Sequence, residues 1–123
     1  MLEIHQKADI IGYEKFIDKA KINPNEVKIV EAFDKGKVIG YGIFSYSEDT
    51  VKIFAVDYGD DKYLCDGIVR TILFKASMLF IDKAEFVFEN LSLMEQLHFL
   101  EKGSNTLNSI KNVMDNCKSC KKS

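Results

Sequence analysis

An α/β domain built on a mixed, strongly twisted central sheet, with helices on both faces, is the architecture this sequence predicts, and three observations carry it. Three β-rich runs at 27–33, 38–44 and 51–57 are separated by Asp34-Lys35-Gly36-Lys37 and by Ser47-Glu48-Asp49-Thr50, which is the turn chemistry of an antiparallel meander. The last run leads through YGDDKYLCDG into IVRTILFKASMLFI, an apolar stretch too long for a strand, so residues 51–81 read as strand, loop and buried helix. A further β-rich run at 84–88 follows. Strand, helix and strand in that order make the runs at 51–57 and 84–88 parallel neighbours joined by a right-handed crossover, and so make the sheet mixed.

The bulk numbers allow this and exclude other classes. At 123 residues the chain is expected to be a single domain, 1–123, with a polar, cysteine-containing tail from about 104. The composition, 46% hydrophobic and 29% charged, is that of an ordinary globular protein, and a net charge of -2 gives no basic surface for nucleic acid. No apolar run reaches the ~20 residues of a membrane span. MLEIHQKADI has no basic stretch followed by an apolar one, so no signal peptide and no membrane association are expected, and the chain is placed in the cytoplasm. Its 3 cysteines are an odd number, two of them near the end, which makes them thiols or ligands and not a disulfide framework.

Taken in order, residues 1–7 have weak strand character and suit a sheet edge. Residues 9–22 place Ile10, Ile11, Tyr13, Phe16, Ile17 and Ala20 at helical spacing, with Asp9 as N-cap and Asn23-Pro24-Asn25 as the stop. In the meander, Gly40 and Gly42 leave one face of a strand bare, either for close packing by the first helix or for a ligand groove. In the long helix, Ile68, Val69, Ile72, Leu73, Ala76, Leu79 and Phe80 form one broad side and Phe74, Met78 and Ile81 a second ridge, which a homodimer would cover. Asn90 or Ser92 caps a last helix over 91–102 that buries Leu93, Met94, Leu97 and Leu100 and ends at Gly103. The tail has a weak pattern of Leu107, Ile110, Val113 and Met114 and room for one more helix.

A strand that feeds a helix through a glycine aims the helix's free N–H groups at the loop, which suits an anion. The order helix, meander, loop, long helix, strand, helix resembles the GNAT family of N-acetyltransferases over roughly residues 8–103. Members carry a Q/R-x-x-G-x-G/A pattern at this helix start, and Leu64-Cys65-Asp66-Gly67-Ile68-Val69 falls in its place, followed by Arg70-Thr71-Ile72-Leu73. Of the pattern's key positions only Gly67 is kept. Leu64 replaces Gln or Arg, and Val69 replaces a small residue. Cys65 to Thr71 and Cys117-Lys118-Ser119-Cys120 are also similar to small clostridial-type proteins of this fold that end in a cysteine-rich segment.

The resemblance implies a small-molecule acyl donor, acetyl-CoA or CoA as its carrier, and an amine acceptor whose identity the residues do not specify. It places the pyrophosphate on the amides of Gly67, Ile68, Val69 and Arg70, next to Leu64, and the pantetheine arm along Phe54, Ala55 and Val56. The family often protonates the leaving thiolate with a tyrosine on the last helix, where this chain has Phe99 beside His98. Adjacent helix positions point about 100° apart, so His98 does not replace it. Asp57 is the candidate base or amine-binding carboxylate. Asp57, Asp60, Asp61 and Asp66 crowd the proposed anion site with only Lys62 and Arg70 to offset them. Cys117 and Cys120 are half of a zinc or cluster site, with Cys65, His5 and His98 as scattered further ligands, or are two reactive thiols among lysines. The alternative function is a non-catalytic domain of the same fold serving interactions, thiol chemistry or metal binding.

Overall fold

The computed structural model describes residues 2–115. Six strands lie side by side in chain order: β1 Leu2–Gln6, β2 Val27–Asp34, β3 Lys37–Ser47, β4 Thr50–Asp57, β5 Lys83–Phe86 and β6 Thr106–Leu107. All neighbours are antiparallel except β4 and β5, which run parallel from Thr50 opposite Lys83 to Ile53 opposite Phe86. The mixed sheet and its parallel pair are as the sequence predicts. β6 is an addition, drawn from the segment expected to be tail. Among the described residues no helix is long and apolar enough to cross a membrane.

Helices α1 (Glu14–Lys19), α2 (Lys62–Ser77), α3 (Ser92–Gln96) and α4 (Ile110–Asp115) complete the fold. Ile17 of α1 joins Val27, Ile29 and Ile43 in a small core on one face. The main core lies on the other face, where α2 sets Leu64, Ile68, Val69, Ile72, Leu73 and Ala76 against Val30, Phe44, Val51 and Ile53. Ile110 is fully buried there, so the chain beyond 104 contributes to the core as well as to the surface. Asp82 fastens α4 by accepting from the Lys111 N–H at 2.8 Å and the Ser109 hydroxyl at 3.0 Å.

Three boundaries differ from expectation, each for a local reason. α1 begins at Glu14, because Gly12 takes a positive φ and Asp9 closes a short turn onto the Ile11 N–H instead of capping a helix. α3 covers only Ser92–Gln96, and the chain reverses at His98, whose φ is 69°, long before Gly103. α2 stops at Ser77 in a Schellman motif, with Phe80 N–H bonded to Ser77 O at 2.9 Å and Ile81 N–H to Ala76 O at 3.0 Å. That reversal carries Ile81 into the core and turns Leu79 and Phe80 out to solvent, the opposite of their predicted places.

Gly40 and Gly42 do serve close packing, but beneath α2 and not beneath α1. A Cβ on Gly42 would stand 2.8 Å from Ile72 Cδ1 and 2.9 Å from Ile68 Cγ2. One on Gly40 would meet the Asp57 carbonyl oxygen at 2.5 Å. The missing side chains bring α2 and the end of β4 down onto β3.

Candidate functional site

The site region is the C-terminal end of β4 and the loop into α2. β4 has a bulge at Phe54, since Ile43 pairs with Ala55 and Phe44 with Ile53. Strict alternation would put Asp57 on the same face as Val51 and Ile53. The bulge instead leaves Phe54 and Ala55 both toward α1, returns Val56 to the main core and sends Asp57 to the α1 face. On its other side β4 loses its partner: the ladder with β5 ends at Ile53 and Phe86, closed by Val87 N–H on Ile53 O at 2.9 Å. Phe54, Ala55 and Val56 are consequently half-buried, while Val51 and Ile53 are fully buried. An extended polar chain could pair with that edge.

The helix start lies elsewhere than expected. α2 opens at Lys62, so Gly67, Ile68, Val69 and Arg70 occupy its second and third turns, where their N–H groups belong to the helix and not to the loop. A Cβ on Gly67 would make only an ordinary contact, 3.5 Å from Ile4, and Thr71 Oγ1 donates to the Gly67 carbonyl at 2.8 Å. Leu64, Ile68 and Val69 are core residues, and Val69 does not stand over the loop. Arg70 reaches Asp66 at 3.0 Å, and its guanidinium lies 5.3 Å from the Phe99 ring centroid. The true N-terminus is capped by Asp61, whose Oδ1 accepts from Tyr63 N–H at 3.0 Å and Leu64 N–H at 3.2 Å. Here the anion on the helix dipole is the chain's own carboxylate.

Asp57 is exposed and accepts from the Gly59 N–H at 3.2 Å. In register with it across the sheet stand Tyr41 on β3 and Glu31 on β2. Tyr13 of the segment before α1 covers this row, donating its hydroxyl to Glu31 Oε2 at 2.6 Å and setting its ring edge-on to Tyr41 at 4.9 Å. Burial, then the Glu31 carboxylate, hold the Tyr13 hydroxyl well above the usual phenol range. Burial, then Asp57, raise that of Tyr41. Glu31 escaped the sequence reading, although a charge in the series Val27, Ile29, Glu31, Phe33 breaks an otherwise apolar face and was the available signal.

The remaining candidates do not gather. Phe99 is buried and His98 exposed. Cys65 is fully buried in α2, His5 lies exposed on β1, and no group of three metal-ligating side chains occurs among the described residues. Cys117 and Cys120 fall outside the described residues. Burial, with the neighbouring Asp66, pushes the Cys65 thiol up to about 12. In the folded protein at pH 8, Cys65 should therefore stay unlabelled by iodoacetamide and react only on unfolding, which peptide mass spectrometry reads directly. Rapid native labelling would contradict this packing.

No protein-family model matches the chain, and no curated protein matches it in sequence. Its architecture does match solved structures. The ribosomal-protein-S18-alanine N-acetyltransferase of Escherichia coli superposes with a TM-score of 0.63 at 11% identity, over 81% of this chain and 78% of that one. The IAA acetyltransferase of Bacillus cereus gives 0.63 at 14% identity, over 78% and 71%. A GNAT family acetyltransferase of Elizabethkingia anophelis, solved with acetyl-CoA bound, gives 0.60 at 15%, over 77% and 70%. Element order, the parallel β4–β5 pair and these superpositions agree that this chain has the GNAT acetyltransferase fold.

Proposed function

We propose that the protein is an N-acyltransferase that takes its acyl group from a CoA thioester and passes it to a cationic amine. The observation that carries this reading is the open edge of β4 at Phe54, Ala55 and Val56, which can pair with the amide-bearing arm of the donor. The acetyl-CoA bound to the Elizabethkingia neighbour supports the same donor class. The carboxylates of Glu31 and Asp57 on either side of the Tyr41 ring suit a positively charged acceptor. The ammonium first loses one proton to water; as the neutral nitrogen then adds to the thioester carbonyl, Asp57 takes its second proton and the C–S bond breaks. The thiolate leaves into solvent and is protonated by water, since Phe99 has no hydroxyl to give.

Asp61 favours a second reading, a non-catalytic domain, because its carboxylate holds the two amides that a phosphate would use. Asp61→Asn separates the two. Asparagine caps a helix about as well as aspartate. Removing one like charge some 4 Å from a phosphate is worth roughly 1 kcal/mol in water, about fivefold in affinity. Calorimetry should show acetyl-CoA binding to the wild type and about fivefold tighter binding to Asp61→Asn. Asp57→Asn should keep that affinity and lose roughly 100-fold in acetyl transfer to 1,4-diaminobutane, the span of a general base. No heat with either protein at millimolar acetyl-CoA would leave the non-catalytic reading standing.

A further inference from the structure

Glu31 is a carboxylate on a face of β2 where Val27 and Ile29 are both core residues. It is half-buried, and Tyr13 fixes it by donating to Oε2 at 2.6 Å. A phenol needs only an acceptor, which a neutral amide would also supply, so this hydrogen bond accounts for where Glu31 points and not for its charge. Lys7 feels that charge but is bonded to Asp9 at 2.7 Å, and His5, in register on β1, is bonded to Glu3 at 2.9 Å. Among the described residues neither Glu31 nor Asp57 has an ion-pair partner.

The distance between these two carboxylates is set by the sheet. Glu31, Tyr41 and Asp57 are in register on β2, β3 and β4, so the outer two lie two strand separations apart, ~10 Å between Cα atoms. The uncharged ring of Tyr41 stands between the charges, half-buried, with Tyr13 edge-on to it at 4.9 Å. With each nitrogen ~3 Å from its carboxylate, a diamine lying along this row has its nitrogens about 5–7 Å apart, which three to five methylenes span. Those methylenes would rest against Tyr41.

We propose that Glu31 is the specificity-determining residue of the acceptor site, selecting α,ω-diamines by holding the ammonium that does not react while the other nitrogen is acylated beside Asp57, and that Tyr13 is the positioning residue that keeps Glu31 at the required distance. The inference rests on the acyltransferase reading and adds the class of acceptor to it. A monoamine leaves Glu31 without a cation, and a much longer diamine overshoots it. The monoacetylated product keeps one ammonium, loses the second ion pair and leaves.

Two measurements on the full chain test it. An NMR titration of the 15N-labelled protein without coenzyme reads amine binding alone, and there 1,4-diaminobutane should move the Glu31 and Asp57 amides with a Kd at least tenfold below that of 1-aminobutane, the worth of one charge-assisted hydrogen bond. Turnover with acetyl-CoA, followed as acetylated amine by mass spectrometry, should show the same preference in KM, lost again at 1,8-diaminooctane. Glu31→Gln, whose amide oxygen still accepts from Tyr13, should raise KM for 1,4-diaminobutane to the 1-aminobutane value. Glu31→Asp, which draws the charge back by one methylene, should move the preference to 1,5-diaminopentane, a shift that a purely structural Glu31 would not produce. Tyr13→Phe, which frees the carboxylate, should raise KM several-fold and flatten the length preference. Equal Kd values for diamine and monoamine, or a Glu31→Gln protein that keeps the preference, overturn the inference and leave the acyltransferase reading standing. Selective diamine binding without any acetylated amine upholds the diamine site and overturns the acyltransferase reading instead.

Discussion

Gly40→Ala should destabilise the protein by about 3 kcal/mol, at the upper end of what overpacking costs. The added Cβ would lie 2.5 Å from the Asp57 carbonyl oxygen and 3.1 Å from both Ile68 Cδ1 and Leu64 Cδ2. The first of these is backbone, held in the β3–β4 ladder, and cannot rotate away. In a domain of this size the loss corresponds to a melting temperature lower by roughly 12 °C. Gly42→Ala is the control, since its Cβ would meet only side-chain atoms, the Ile72 Cδ1 at 2.8 Å, which can rotate, and the Ile68 Cγ2 branch methyl at 2.9 Å, which yields by a small shift of the helix side chain. Its expected cost is about 1–2 kcal/mol. Urea titrations of the two variants give the comparison. Equal costs, or a milder Gly40→Ala, would mean that β4 is free to lift from β3. The same substitution should displace Asp57, so activity ought to fall faster than stability.

Val69→Gly should cost about 3 kcal/mol and leave acetyl-CoA affinity unchanged. Val69 is fully buried on α2. Removing its side chain forfeits roughly 2 kcal/mol of burial, and glycine within a helix adds about 1 kcal/mol. Val69→Ala, which keeps the helix propensity, should recover the latter part. The family resemblance alone suggests another outcome, that Val69 obstructs the phosphates and that glycine would restore binding. Denaturation and calorimetry on one preparation distinguish them. A stable Val69→Gly protein with tighter acetyl-CoA binding would return Val69 to the loop and place the start of α2 near Gly67.

The sheet was legible because its signals are local. Lys35-Gly36 and Glu48-Asp49 supply the two tight turns of the meander, and the length of the apolar run after Asp57 could only be a helix. Helix ends were not legible. The sequence offers glycine, proline and capping side chains as punctuation, and here Phe80 and His98 end helices without any of them, whereas Lys21 reverses α1 just ahead of Pro24. Asp9, Asn90 and Gly103 carry capping signals that are used in turns instead. Asp61 reads in the sequence only as one of four aspartates around the loop, with nothing to mark it as the cap. Which one caps depends on where the first helical turn closes, and that is set by how deeply Leu64 and Ile68 reach into the core.

The amino-acid sequence by itself determined the meander of β2, β3 and β4, the parallel step from β4 to β5 and the buried side of α2 from Ile68 to Ala76, because period and turn chemistry act between near neighbours. Only the tertiary structure decided which groups meet at the site. A one-residue bulge at Phe54 turns Asp57 to the α1 face beside Tyr41 and Glu31, and two absent side chains on β3 let α2 settle low enough to start at Lys62 under its own carboxylate cap. A bulge and a helix start are each settled by contacts between residues far apart in the chain. No short stretch of sequence contains both partners.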